Sequence, residues 1–100
     1  MRLGILVNTS RHLDDIIGIV KAALAKGHEV EMFNMDDGVR LLGTPEFGEL
    51  CRTGGVGTSF CDYNAKSHSV DTEGLPAELV CGSQYHNAVM VHNADRLIVL

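Results

Sequence analysis

Three cysteines, five histidines and thirteen acidic residues carry the chemistry of this 100-residue chain. Among them, Cys61 has the most telling place. It closes the stretch Gly54-Gly55-Val56-Gly57-Thr58-Ser59-Phe60-Cys61-Asp62-Tyr63, which reads as a glycine turn, a short buried strand and a cysteine where that strand ends. In a parallel α/β sheet, ligands and reactive groups collect beyond the carboxyl ends of the strands. A thiol there, followed by a helix or turn whose N–H groups face it, has its thiolate favoured. Asp62 opposes this, because an adjacent carboxylate disfavours the thiolate unless it points away. The plainer alternative for Cys61 is a small buried hydrophobe.

Cys81 sits before Gly82-Ser83 at a second strand-to-helix junction. Brought near Cys61 across a sheet it would serve as a resolving thiol; otherwise it is a packed residue under the next helix. Cys51 shares a helical face with Phe47 and Leu50, which marks it as core. The odd cysteine count and the absence of a CxxC spacing argue against a disulfide framework, so reduced thiols are expected.

The histidines at 12, 28, 68, 86 and 92 form no i,i+4 pair and no zinc spacing with a cysteine. No metal site is therefore expected from them. His68, in the polar stretch after Cys61, is a candidate proton donor, and His12, after the first strand, is a candidate at the same sheet edge. For both, a merely solvated side chain is the plain alternative. Gly54-Gly55-Val56-Gly57 precedes a strand instead of opening a helix, so it is not a phosphate cradle. Asn8-Thr9-Ser10-Arg11 is short, and poor in hydroxyls, for a phosphate loop. Asp36-Asp37 can hold a cation, but helix capping accounts for the pair equally well.

Composition narrows the field of partners. The net charge is −5 with no cluster of lysine or arginine, which argues against nucleic acid or an anionic membrane as a main partner. At 45% hydrophobic and 21% charged, the chain is expected to form a single globular domain over residues 1–100. No apolar run approaches the ~20 residues of a membrane span. Leu3 to Val7 is too short for the apolar region of a signal peptide, so a cytoplasmic protein is expected.

The elements that must position Cys61 follow from periodicity. Leu3 to Val7 reads as a strand buried on both faces. Asn8-Thr9-Ser10 offers N-cap chemistry to a helix marked by Leu13, Ile16, Ile17, Val20 and Leu24 and ended by Gly27. His28 to Phe33 alternates as a second strand at or near a sheet edge. The strand–helix–strand order makes a parallel, right-handed βαβ unit. Asp36 or Asp37 is placed to cap a short helix through Leu42. Thr44 and Pro45 open another helix, and Val56 to Phe60 is the third strand. Asp62 to Glu73 is polar and irregular, with room for a helical turn. Leu75 to Val80 suggests a turn or short strand. Gly82-Ser83 opens a last helix, and Arg96 to Leu100 is a final strand. The predicted fold is a three-layer α/β/α sandwich around a mostly parallel sheet of four or five strands.

This order of pieces resembles the DsrE/DsrF-like family over roughly residues 2 to 100. The pieces are "LGILVNT", a helix, "HEVEMFNMDDGVRLL", a cysteine after a buried strand, and "GS" with a helix into "NADRLIVL". The resemblance implies a small α/β/α protein that forms homotrimers or homohexamers, or assembles with related subunits. In the family's sulfur-relay members a cysteine on the loop after the third main strand carries persulfide sulfur, and Cys61 matches that position. Asp37-Gly38 and Gly82-Ser83 would be structural, as a helix start and a turn. Asp62-Tyr63-Asn64 after Cys61 departs from the small or apolar residues expected of a relay subunit.

The function expected is therefore a sulfur carrier of sulfurtransferase type, exchanging sulfur with donor and acceptor proteins. Such thiol exchange requires no metal or organic cofactor. The rival readings are a non-catalytic oligomeric scaffold of the same fold and a thiol redox protein using Cys61 with Cys81.

Overall fold

A computed structural model describes residues 1–100. Its centre is a five-stranded sheet in which every neighbouring pair is parallel. The strands are β1 (Arg2–Val7), β2 (Glu29–Asn34), β3 (Val56–Cys61), β4 (Leu79–Gly82) and β5 (Arg96–Val99), in the spatial order β4-β3-β2-β1-β5. The helices are α1 (Leu13–Ala25), α2 (Pro45–Cys51), α3 (Asp62–Ser67) and α4 (Gln84–Asn93), with a 3-10 segment at Asp36–Gly43.

Alternation along the strands sorts side chains to two faces. Leu3, Ile5 and Val7 of β1, Val30 and Met32 of β2, Phe60 of β3 and Leu79 of β4 point to one side. There they join Ile16 and Val20 of α1, Phe47 and Leu50 of α2, and Ala65 of α3 in the main core. Phe33 of β2 and Cys61 point to the other side, where Met90 of α4 meets them. The first three crossovers thus cover one face, and α4 alone covers the other, giving the expected three layers.

Several local expectations are corrected. The strand over Glu29–Asn34 is the middle strand of the sheet, not an edge strand. Its alternating glutamates are tolerated because they face the side that one helix covers incompletely. Asn8-Thr9-Ser10 does not cap α1: the N–H groups of Asn8 and Thr9 donate to the carbonyl of Leu100, and His12 takes the N-cap position. Asp36 and Asp37 lie in the first turn of the 3-10 segment, whose N-cap is Met35 with no side-chain cap. Thr44 precedes α2 but turns its hydroxyl back to the carbonyl of Leu41. The polar stretch after Cys61, read with room for a helical turn, does hold a short helix, Asp62–Ser67, with one buried residue, Ala65.

Other readings agree with the structure. Gly27 adopts a left-handed φ of 82°, as a stop after α1 requires. Ser83 caps α4 by accepting from the Tyr85 N–H, while the His86 ring accepts from the Ser83 N–H, a reciprocal capping pair. No helix is long and apolar enough to cross a membrane.

Candidate functional site

Cys61 is the last residue of β3 and the N-cap residue of α3. The thiol lies in a small apolar nest of Phe33, Met90, Leu6 and Met35, and the residue is 4% exposed. It makes no cap bond to the start of α3, so the expected embrace of the sulfur by helix N–H groups is not formed. Instead, the residue forms part of the wall of a cavity of about 770 Å³ at the carboxyl edge of the sheet. Met35, Asp62, Tyr63, Asn64, Gly82, Ser83 and Gln84 complete that wall. Cys61 therefore stands where a parallel sheet presents its chemistry, between the starts of α3 and α4.

Asp62 does not aim its charge at this thiol. Its carboxylate pairs with Lys66 Nζ at 2.9 Å, one helical turn along α3. That cation holds the Asp62 carboxyl below its ordinary range, aided by a hydrogen bond from the Cys81 thiol. Cys81 is exposed, and its pKa is pushed up by desolvation and by the Asp62 carboxylate. In register, Cys81 pairs with Phe60, whereas Cys61 pairs with Gly82. Phe60 belongs to the main core and Cys61 to the opposite nest, so the two cysteines leave the sheet on opposite faces. A disulfide between them within one chain would require the edge of the sheet to be rebuilt. Cys51 is buried in the main core, and burial pushes its thiol pKa up.

The two histidine candidates lie elsewhere. His12 precedes α1 and contacts Asp15 through Nδ1 at 3.4 Å, lining no part of the cavity. His68 ends α3 with Nε2 at 3.3 Å from Asp36 Oδ1 and Nδ1 at 3.4 Å from Asp37 Oδ1. The Arg40 guanidinium reaches both Asp37 and His68 at 3.3 Å. Asp36, Asp37 and His68 do converge their ligand-type atoms within 4.8 Å. Arg40 already supplies positive charge among them, and the group works as a latch between α3 and the 3-10 segment. The Asp36 N–H donates to Asn64 Oδ1 at 2.8 Å and strengthens the same latch.

Sequence reasoning missed the residues that frame the thiol. Met35 packs on the Cys61 nest, and Gln84 Nε2 approaches its sulfur at 3.8 Å across the cavity. His86 lies against Gly82, the register partner of Cys61, where any Cβ would strike the imidazole. The capping-box signature has Glu or Gln where this chain has His86, so the spacing did not point to that ring. Met35 and Gln84 are 49 residues apart and left no local signal.

No protein-family model matches the chain, and no curated protein sequence does so. Solved structures match it along its length, two of them as follows. The crystal structure of YchN from E. coli superposes with a TM-score of 0.73 at 13% identity, over 99% of this chain and 97% of that one. MTH1491 from Methanobacterium thermoautotrophicum, a protein of unknown function, superposes with a TM-score of 0.78 at 17% identity, over 99% of this chain and 98% of that one. At these identities the likeness is one of fold: the chain shares with both an α/β architecture built on a parallel sheet.

Proposed function

We propose that the protein is a DsrE-like sulfur carrier that holds sulfur as a persulfide on Cys61. The observation that carries this reading is the place of that residue, at the carboxyl edge of a parallel sheet and in the wall of a cavity of about 770 Å³. The Cys61 thiolate attacks the outer sulfur of a donor persulfide. A bond forms from Sγ to that sulfur, the donor's S–S bond breaks, and the donor leaves as a thiolate. An acceptor thiolate then attacks the outer sulfur of Cys61–S–SH, and Cys61 returns as the thiolate. Electrons balance without an added oxidant or reductant. Incubation with a small persulfide donor, followed by mass analysis, tests the reading through the gain of one sulfur on Cys61.

The partners proposed are a sulfur donor, an acceptor and further copies of the chain or related subunits. Self-association is supported by the α4 side of the molecule. Gln84–Asn93 contains no lysine, arginine, aspartate or glutamate. Tyr85, Val89 and Val91 of this helix, with Val80, Leu97 and Val99 on the strands beside it, are exposed. A helix that carries exposed aromatic and apolar side chains and none of these charges has the composition of an interface centre, with Arg2, Glu29, Glu31 and Glu78 lining the groove beside it.

The same surface favours a second reading, a non-catalytic scaffold subunit in which Cys61 only packs. The redox reading with Cys81 has the weaker support, because the two thiols leave opposite faces of the sheet.

A further inference from the structure

We infer that Met35 is a movable cover over the Cys61 thiol, tethered by Gln84, and that it sets which reagents reach the sulfur. The inference takes Cys61 as the working thiol of the proposed function, but its test reads access alone.

Cys61 is almost closed off, so any reaction at its sulfur requires one wall of the nest to yield. Phe33 is fully buried on the central strand, Met90 is anchored in α4 beneath the sheet face, and Leu6 is fixed on β1 between its register partners Phe33 and Val99. Moving any of these would disturb the sheet or the core. The wall toward α3 is braced by the Asn64–Asp36 hydrogen bond and by His68 against Asp36 and Asp37.

Met35 is different. Its backbone is pinned, because its N–H donates to the Val7 carbonyl at 2.9 Å and its carbonyl accepts from the Gly38 N–H at 2.9 Å. It lies outside regular structure, between β2 and the 3-10 segment, and is followed by Asp36 at a φ of 49°. The side chain is only partly buried and is held by one N–H···S contact from an exposed glutamine. Methionine is unbranched and adapts by rotation about three side-chain bonds. The Gln84 amide is steadied in turn by Asn87, whose Nδ2 donates to Gln84 Oε1 at 3.2 Å. A fixed hinge, a flexible arm and a weak latch thus meet on one side of the thiol, facing the cavity.

The test is alkylation of native protein by iodoacetamide in a Cys81→Ser background, with Cys61 and Cys51 followed separately by mass spectrometry. Cys51, buried in the main core, reports global opening. Met35→Ala is expected to speed modification of Cys61 by about tenfold or more, the factor matching ~1.4 kcal/mol of lost closing free energy. Gln84→Ala, which leaves the nest intact, is expected to speed it by a smaller factor, and Cys51 stays slow in both variants. Cys61 modified at the parent rate in both variants, or only in step with Cys51, overturns the cover. Persulfide loading is scored separately: faster alkylation without loading leaves the cover standing and rejects the carrier, whereas loading with unchanged alkylation does the reverse.

Discussion

Asp62 points its carboxylate at Lys66, 2.9 Å away, and not at its neighbour Cys61. This relationship decides a question that the sequence left open. The carboxylate is engaged by Lys66 of α3 and by the Cys81 thiol. The two cysteines of the edge therefore have separate environments, one apolar and enclosed, the other exposed and facing an acid.

Removing that acid should change Cys81. Asp62 contributes to the raised pKa of Cys81 by hydrogen bond and by charge, after desolvation. Asp62→Asn is expected to lower the Cys81 pKa and speed its alkylation near pH 8, with the two proteins converging once both thiols are ionised at high pH. The rate of Cys81 modification against pH in a Cys61→Ala background measures this. A profile unchanged by the substitution contradicts the assignment.

Glu31 supplies a stability test with a defined sign. Burial raises its pKa most, Glu29 raises it further and Arg2 opposes them. A carboxyl with a raised folded pKa binds more protons folded than unfolded, so its ionisation costs stability as pH rises from the ordinary glutamate pKa of about 4.3 upward. Glu31→Gln should therefore raise Tm at pH 7, and the advantage should fade below about pH 4. Melting curves across that range check it, and a gap independent of pH would contradict it.

Gly38 should tolerate no side chain. A Cβ there would collide with the Val7 carbonyl, the same group that receives the Met35 N–H. Gly38→Ala is expected to cost more than about 2 kcal/mol, the range of strongly disruptive substitutions. Denaturant unfolding measures the loss; a cost of only a few tenths would show that this junction yields easily.

The proposed α4 interface predicts an assembly heavier than one chain. Val89→Glu places a charge on the apolar face of a helix that has none, and should shift the assembly toward monomer with the fold retained. Sedimentation velocity with circular dichroism separates loss of association from loss of fold. A monomeric parent protein would contradict the interface.

Much of the fold was legible in the chain because apolar period and glycine stops are local. Leu3–Val7, the Leu13–Leu24 stripe and Gly27 each announce their element without help from elsewhere. The central place of β2 was hidden because Glu29 and Glu31 imitate an edge strand. Their tolerance depends on how little α4 covers, which is a tertiary fact. α3 was hidden because it buries only Ala65 and shows no stripe. Strand order and a terminal cysteine were enough to make Cys61 the candidate and to place it at the carboxyl edge of the sheet. The enclosure was not readable, since Phe33, Met35, Gln84 and Met90 converge on it from separate elements. His68 and His12, plausible by position, are turned to Asp36 and Asp37 and to Asp15 instead.

The central claim is that Cys61 carries sulfur, and peptide-resolved mass spectrometry after exposure to a small persulfide donor tests it most directly. Cys61→Ala is the sounder control, because a serine there would bury a hydroxyl in an apolar nest at a cost of about 1–3 kcal/mol. The account predicts one added sulfur on the Cys61 peptide, released by an acceptor thiol, and none on the Cys51 peptide or in Cys61→Ala at that site. Equal loading of the parent and Cys61→Ala proteins, or sulfur found only on Cys81, would contradict it.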